Sequence, residues 1–314
     1  MSPPEAVSAA WWPRFRVVLL TAFFVIVGVL LIVSAREIEW QNVGEALRGY
    51  GAATLLGAAA LAAIGHLVYT SYDVLGRFYT GHSLPVPRVM TIAFVSYAFN
   101  LNLGPLVGAA GFRFRLYSRY GLDNAVIGRV LGFSVLTNWL GYFVVAGVVF
   151  ASGSVAVPPS WVIGSTALQI TGAAMLLLVA GFLLLCGRAE RRSFHVRSVE
   201  IELPPLRIAM LQPVVSAASW LVIGVVIWVL LGQAIPFATV LGVTMLAAVA
   251  ALLTHIPAGI GVLELVFVLM LEHEIQRSDI LASLLAYRAV YYLAPLLVAG
   301  GVYLALEARS DAAG

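Results

Sequence analysis

The sequence predicts an all-α polytopic membrane protein, a single transmembrane domain over residues 1–314. Three observations carry this. Of the 314 residues, 61% are hydrophobic and 11% charged, and the mean hydropathy is +0.98; a soluble domain carries about 25% charged residues. Apolar runs long enough to cross a bilayer recur along the chain, separated by short loops. All 18 basic residues are arginines and nearly all fall in those loops, as membrane topology requires. The net charge of +3 therefore implies no nucleic-acid partner. One cysteine, Cys186, excludes an internal disulfide and a cysteine-rich metal site.

Taken in order, Arg14 and Arg16 precede an apolar run over residues 17–33. The run is longer than a signal-peptide core, so it reads as an uncleaved first helix. A second span over residues 51–72 is rich in Ala and Gly, which lets neighbouring helices approach closely. His66, Tyr69 and Asp73 share one of its faces, for packing or for a ligand. Residues 88–112 form an apolar stretch interrupted by Asn100, Asn102, Gly104 and Pro105. Pro105 has no N–H and clashes with the preceding turn, and neither arm reaches the roughly 20 residues of a crossing helix. The stretch reads as a broken, re-entrant hairpin, with backbone that survives at membrane depth only beside protein or a wet cavity.

Spans over residues 125–150, 161–185 and 208–231 follow, with the longest loop at 187–207. Residues 237–253 and 264–271 flank a second break, Thr254-His255-Ile256-Pro257-Ala258-Gly259-Ile260-Gly261. It reads as a second hairpin, two full spans being the alternative. The last span, residues 280–306, carries Arg288, Tyr291, Tyr292 and Pro295. With both termini cytoplasmic, thirteen arginines lie inside and three outside, leaving Arg129 and Arg288 at or within the membrane. Each half, about 1–155 and 160–314, then holds three spanning helices and one broken hairpin. The halves run in opposite senses, an inverted-topology repeat of the kind found in transporters.

The motifs N-L-x-L-G-P-L-x-G-x-x-G-x-R-x-R-L-Y-S-R (Asn100 to Arg119), H-I-P-A-G-I-G-V-L-E (His255 to Glu264) and A-Y-R-A-V-Y-Y-L-A-P (Ala286 to Pro295) resemble one family. It is the transmembrane domain of bacterial lysylphosphatidylglycerol synthetases, with their stand-alone inner-membrane relatives. The resemblance covers nearly the whole chain. It implies a lipid translocase of the bacterial inner membrane that moves an anionic or aminoacylated phospholipid, of the phosphatidylglycerol type, between leaflets. With Gly314 shortly after the last span, a soluble synthetase domain is not expected, and aminoacyl transfer is not carried over.

The residues themselves suit such a cargo. Arg binds phosphate oxygens in pairs, and glycine-rich helix breaks expose backbone N–H groups. The expected substrate-binding set is Asn102, Pro105, Gly108, Gly111, Arg113, Arg129, Pro257, Gly259, Gly261, Glu264, Arg288 and Tyr292. Glu264 is the expected acidic partner of Arg288, as a structural ion pair or as part of the site. For Arg113, Arg115 and Arg119, setting topology is the competing role. No catalytic motif is present: H-E-x-x-H, a P-loop and a phosphatidyltransferase-like Asp cluster are all absent. Glu272-His273-Glu274 is a poor metal site, because neighbours on a helix point apart. No cofactor and no metal is expected. Two other readings remain: a scaffold for an envelope lipid-modifying enzyme, and a lipid-modifying enzyme using Glu264 and His255. The expected partners are a membrane phospholipid and such an envelope enzyme, with no oligomeric state specified.

Overall fold

Gly and Pro punctuate the apolar runs, and several of the helices begin or end beside them. The computed structural model describes residues 45, 47–155, 164–189, 193–196, 199–254 and 259–311, together with residues 25 and 29. The chain divides into two units, Met1–Glu39 and Trp40–Gly314. In the first, residues 25 and 29 are helical and exposed; the rest of the expected first span lies outside the described residues. All the other described elements belong to the second unit.

Helix α1, Ala52–Thr80, starts after Gly51 and stops at Gly81, whose φ of 71° ends it in the left-handed cap favoured by glycine. Helix α2, Val86–Gly104, is followed by a π-helical segment, Pro105–Gly111, and by α3, Phe112–Arg119. Next come α4, Asn124–Ala151, and α5, Ser165–Arg188. After them lie α6, Leu206–Leu230, α7, Phe237–Thr254, and α8, Val262–Leu271. The last run consists of α9, Arg277–Tyr287, a π-helical segment, Arg288–Leu293, and α10, Ala294–Asp311. Seven helical runs among the described residues are long and apolar enough to cross a membrane.

One of those seven, residues 86–119, is not a straight rod. Gly104 has φ 80° and ψ 175°, a conformation open to glycine but costly for other residues, and Pro105 follows it. The chain turns back there. The Phe99 and Phe112 rings stack with centroids 4.0 Å apart, whereas thirteen residues of continuous helix would separate them by about 20 Å. Gly108 lies directly on the backbone of Asn100, leaving no room for a Cβ. The unit is a helical hairpin.

Helices α7 and α8 also pack against each other, joined through residues 255–261. At 1.5 Å per residue, the ten residues of α8 extend about 15 Å, half the hydrocarbon core. A helix, a helical hairpin and a helix follow one another over residues 52–151; α6, the packed pair α7 and α8, and the last helical run follow over residues 206–311.

The expectation of purely helical structure needs one correction. Ser193–Val196 and Val199–Glu202 pair as an antiparallel β-hairpin, with Phe194 opposite Ile201, inside the stretch read as a loop. Phe194, Val196, Val199 and Ile201 alternate with more polar residues, the period of a strand.

The core forms where α1, α4 and α6 meet, with α7–α9 packed around them. Helices α4 and α6 cross closely at Gly141 and Ser216. Gln212 Nε2 donates to Thr137 Oγ1 at 2.8 Å and Ser216 Oγ to the Asn138 carbonyl at 3.1 Å. Small residues and interhelical hydrogen bonds are the means by which helices associate without a difference in hydrophobicity from the lipid.

Candidate functional site

Two buried arginines organise the interior, and they differ in access. Arg113, on α3, is held by Asp73 of α1 in a two-pronged pair: Nε to Oδ2 at 3.0 Å and Nη2 to Oδ1 at 2.8 Å. Nη2 also reaches Ser134 Oγ of α4 at 3.3 Å, and Nη1 the Ala109 carbonyl at 3.3 Å. Tyr117 donates its hydroxyl to Asp73 Oδ2 at 3.0 Å. The two side chains are 1% and 0% exposed. Every nitrogen of Arg113 therefore has a protein partner, and the pair ties the first hairpin to α1 and α4. Asp73 and Ser134 were not singled out as its partners from the sequence.

The second pair stands at the turn of the other hairpin. Arg288 Nε donates to Glu264 Oε1 at 2.6 Å, and Nη2 to Glu264 Oε2 at 3.1 Å and to the Gly259 carbonyl at 3.0 Å. The Gly261 N–H caps the same carboxylate at 2.9 Å, closing the first turn of α8. Here the side chains remain 11% and 17% exposed. Tyr292 lies beside the cation, its ring centroid 5.7 Å from Arg288 Cζ.

Arg288 and Tyr292 belong to the π-helical segment between α9 and α10. Pro295 has no N–H to offer the Tyr291 carbonyl four residues before it, so the ladder slips there. The same segment touches the first hairpin: Asn102 Nδ2 donates to the Ala98 carbonyl at 2.8 Å and reaches the Tyr292 carbonyl at 3.4 Å. Behind it, His66 sits among Phe94, Tyr97 and Tyr291, with centroids 4.9–5.9 Å away. The widened turn thus joins the two hairpins near their turns.

Of the expected set, Asn102, Gly259, Gly261, Glu264, Arg288 and Tyr292 come together around this segment. Pro105 is exposed at the turn of the first hairpin, Gly108 packs inside its return, and Gly111 is half-buried just before α3. Arg113 is apart, sealed with Asp73, and Arg129 is exposed near the start of α4. Pro257 and His255 lie outside the described residues.

The lysylphosphatidylglycerol synthase TM region model matches residues 18–299, most of the chain. The chain belongs to this family. It is 42% identical over 302 residues to the inner membrane protein YbhN of Escherichia coli (strain K12), across 95% of both chains. An uncharacterized Synechocystis protein is 30% identical over 260 residues, 82% of this chain and 80% of that one. A phosphatidylglycerol lysyltransferase of Staphylococcus haemolyticus is 23% identical over 294 residues, 90% of this chain but 33% of the longer protein. The chain is a multi-pass protein of the inner membrane.

The Arg288–Glu264 contact has a measurable signature. Glu264→Gln and Arg288→Met should each destabilise the protein, because each strands a largely buried partner. The double variant should recover part of the loss, with a coupling energy of about 0.5–3 kcal/mol in a double-mutant cycle of unfolding. Strictly additive losses would show that the two side chains act independently.

Proposed function

We propose that the protein moves an anionic or aminoacylated phospholipid, of the phosphatidylglycerol type, between the leaflets of the inner membrane. The observation that carries this reading is the difference between the two arginine pairs. Arg113–Asp73 is sealed, whereas Arg288–Glu264 stays partly open beside broken backbone. A lipid phosphate can compete with Glu264 for the planar fork of Arg288, which binds either anion through paired N–H groups. Glu264 then keeps its bond from the Gly261 N–H, so the displaced carboxylate is not stranded.

In this reading the two hairpins enter from opposite faces and the halves are inverted repeats, with both termini cytoplasmic. The head group rests at the π-helical segment while its acyl chains stay in the bilayer. Rocking of one repeat against the other switches the exposed leaflet. The lysyltransferase relatives, which carry phosphatidylglycerol in their names, support that lipid class. No covalent step is involved: the lipid leaves as it entered.

In proteoliposomes, labelled phosphatidylglycerol should change leaflet faster with the protein than without it. Arg288→Ala should slow the exchange at least tenfold while the thermal midpoint shows a folded protein, and Arg129→Ala should slow it less. If folded protein leaves the exchange of anionic, zwitterionic and aminoacylated lipids unchanged, the translocase reading falls and a scaffold for an envelope lipid-modifying enzyme replaces it.

A further inference from the structure

A second lipid-sized feature lies on the flank of the helix bundle and reaches Val290 of the π-helical segment that carries Arg288. A cavity of about 500 Å³ runs between α1, α2 and the last helical run. Its walls are almost wholly apolar, with Ala62, Phe94, Val290 and Val298 among them. It opens sideways, since Ala59, Ala63 and Leu67 on α1 and Val298 on α10 are exposed. Thr91, on α2, lines this cavity and also a second one of about 450 Å³. The second is of mixed character, bounded by Pro87, Arg88, Arg119, Tyr120 and Leu306. The two are consecutive along α2, one turn apart: an apolar slot ending in a basic cup.

The charges in the cup are not balanced. Arg88 is exposed, rests its guanidinium 5.3 Å from the Tyr120 ring centroid and has no acidic partner among the described residues. Arg119 gives Nη2 to the Leu306 carbonyl at 2.7 Å. Its Nη1 has only a 3.5 Å ion contact with Glu307 and no hydrogen bond. Glu307 is already shared with Arg115, at 3.0 Å. The Glu307 carboxylate thus serves both Arg115 and Arg119. The cup also sits at the start of α2, where the helix dipole favours an anion.

We propose that this slot and cup are a lateral docking site for one anionic phospholipid, an acyl chain in the apolar cavity and the phosphate between Arg88 and Arg119. Charge complementarity selects this occupant over a zwitterionic lipid, whose positive group would meet the same arginines. The cavity volume falls within the 300–1,000 Å³ of small-molecule sites. The arrangement is independent of lipid transfer and holds for a protein that moves no lipid at all.

The test reads binding alone. Protein in phosphatidylcholine vesicles is exposed to acyl-photoactivatable phosphatidylglycerol or phosphatidylcholine, and the labelled peptides are mapped. Phosphatidylglycerol should label α1 near residues 59–70, α2 near 90–94 and the last helix near 290–302. Arg88→Gln should lower that labelling about fivefold, the factor equivalent to about 1 kcal/mol for one arginine near an anionic head group. Labelling by phosphatidylcholine should not change. Ala63→Trp, at an exposed position of the slot, should reduce labelling by both lipids without lowering the thermal midpoint. Equal labelling by the two lipids in unaltered protein overturns the proposal, as does indifference to Ala63→Trp. So does the alternative occupant, the chain's own apolar run over residues 17–33. That outcome would appear as a disulfide between cysteines introduced at positions 29 and 63 in Cys186→Ala protein, with no lipid label in the slot.

Discussion

Replacing Asp73 by Asn should destabilise the folded protein by about 3–5 kcal/mol, the cost of breaking a buried ion pair from one side. Arg113 is 1% exposed and its guanidinium gains its charge balance from Asp73 alone among the described residues. Asn keeps the shape of the carboxylate but not its charge, so the cation remains in an apolar interior. Even on insertion scales, an unpaired arginine at the centre of a membrane costs about 2.5–3.5 kcal/mol. The effect should appear in reversible unfolding in mixed micelles, and Tyr117 and Ser134 should not offset it, since both are neutral. Asp73→Leu combined with Arg113→Met should recover most of the loss, because apolar residues of similar volume often replace a buried pair without penalty. A loss below about 1 kcal/mol for Asp73→Asn would mean that water reaches Arg113.

How much of this was legible beforehand depends on the range of the interaction. The break at Gly104-Pro105 is local chemistry, a residue that tolerates positive φ followed by one without an N–H, and the sequence announces it. The match of Glu264 to Arg288 was also readable, because few ionisable side chains occur within the apolar runs and each needs a partner. Asp73 and Arg113 lie 40 residues apart on different helices. Asp73 was visible on one face with His66 and Tyr69, but nothing in its spacing identifies the arginine that meets it. The π-helical segment at Arg288 was hidden for another reason: Pro295 signals a missing donor, not how the ladder absorbs it. The β-hairpin at Ser193–Glu202 was overlooked because five arginines in residues 187–207 suggested a solvated loop, although the alternation of period two was present.

Gly108→Ala should be the most damaging single-methyl change in the chain's described glycines outside the helix crossings, and it decides the shape of residues 86–119. The added Cβ would meet the Asn100 N and Cα and the Phe99 carbonyl carbon. These are backbone atoms, which cannot swing aside as a flexible side chain does. Overpacking usually costs about 1–3 kcal/mol, and here the upper end or more is expected, since the two arms must part and unstack Phe99 from Phe112. Gly104→Ala should cost about 1–3 kcal/mol from backbone strain alone, because φ 80° with ψ 175° is a region almost confined to glycine and nothing stands within 4 Å. Gly128→Ala, in α4 with open space around it, should stabilise slightly through helix propensity. If residues 86–119 were one straight span, Asn100 and Gly108 would lie two turns apart, and Gly108→Ala would behave like Gly128→Ala. Thermal midpoints of the three variants in one detergent therefore separate the two shapes: a marked fall at Gly108 requires the hairpin, and a rise there excludes it.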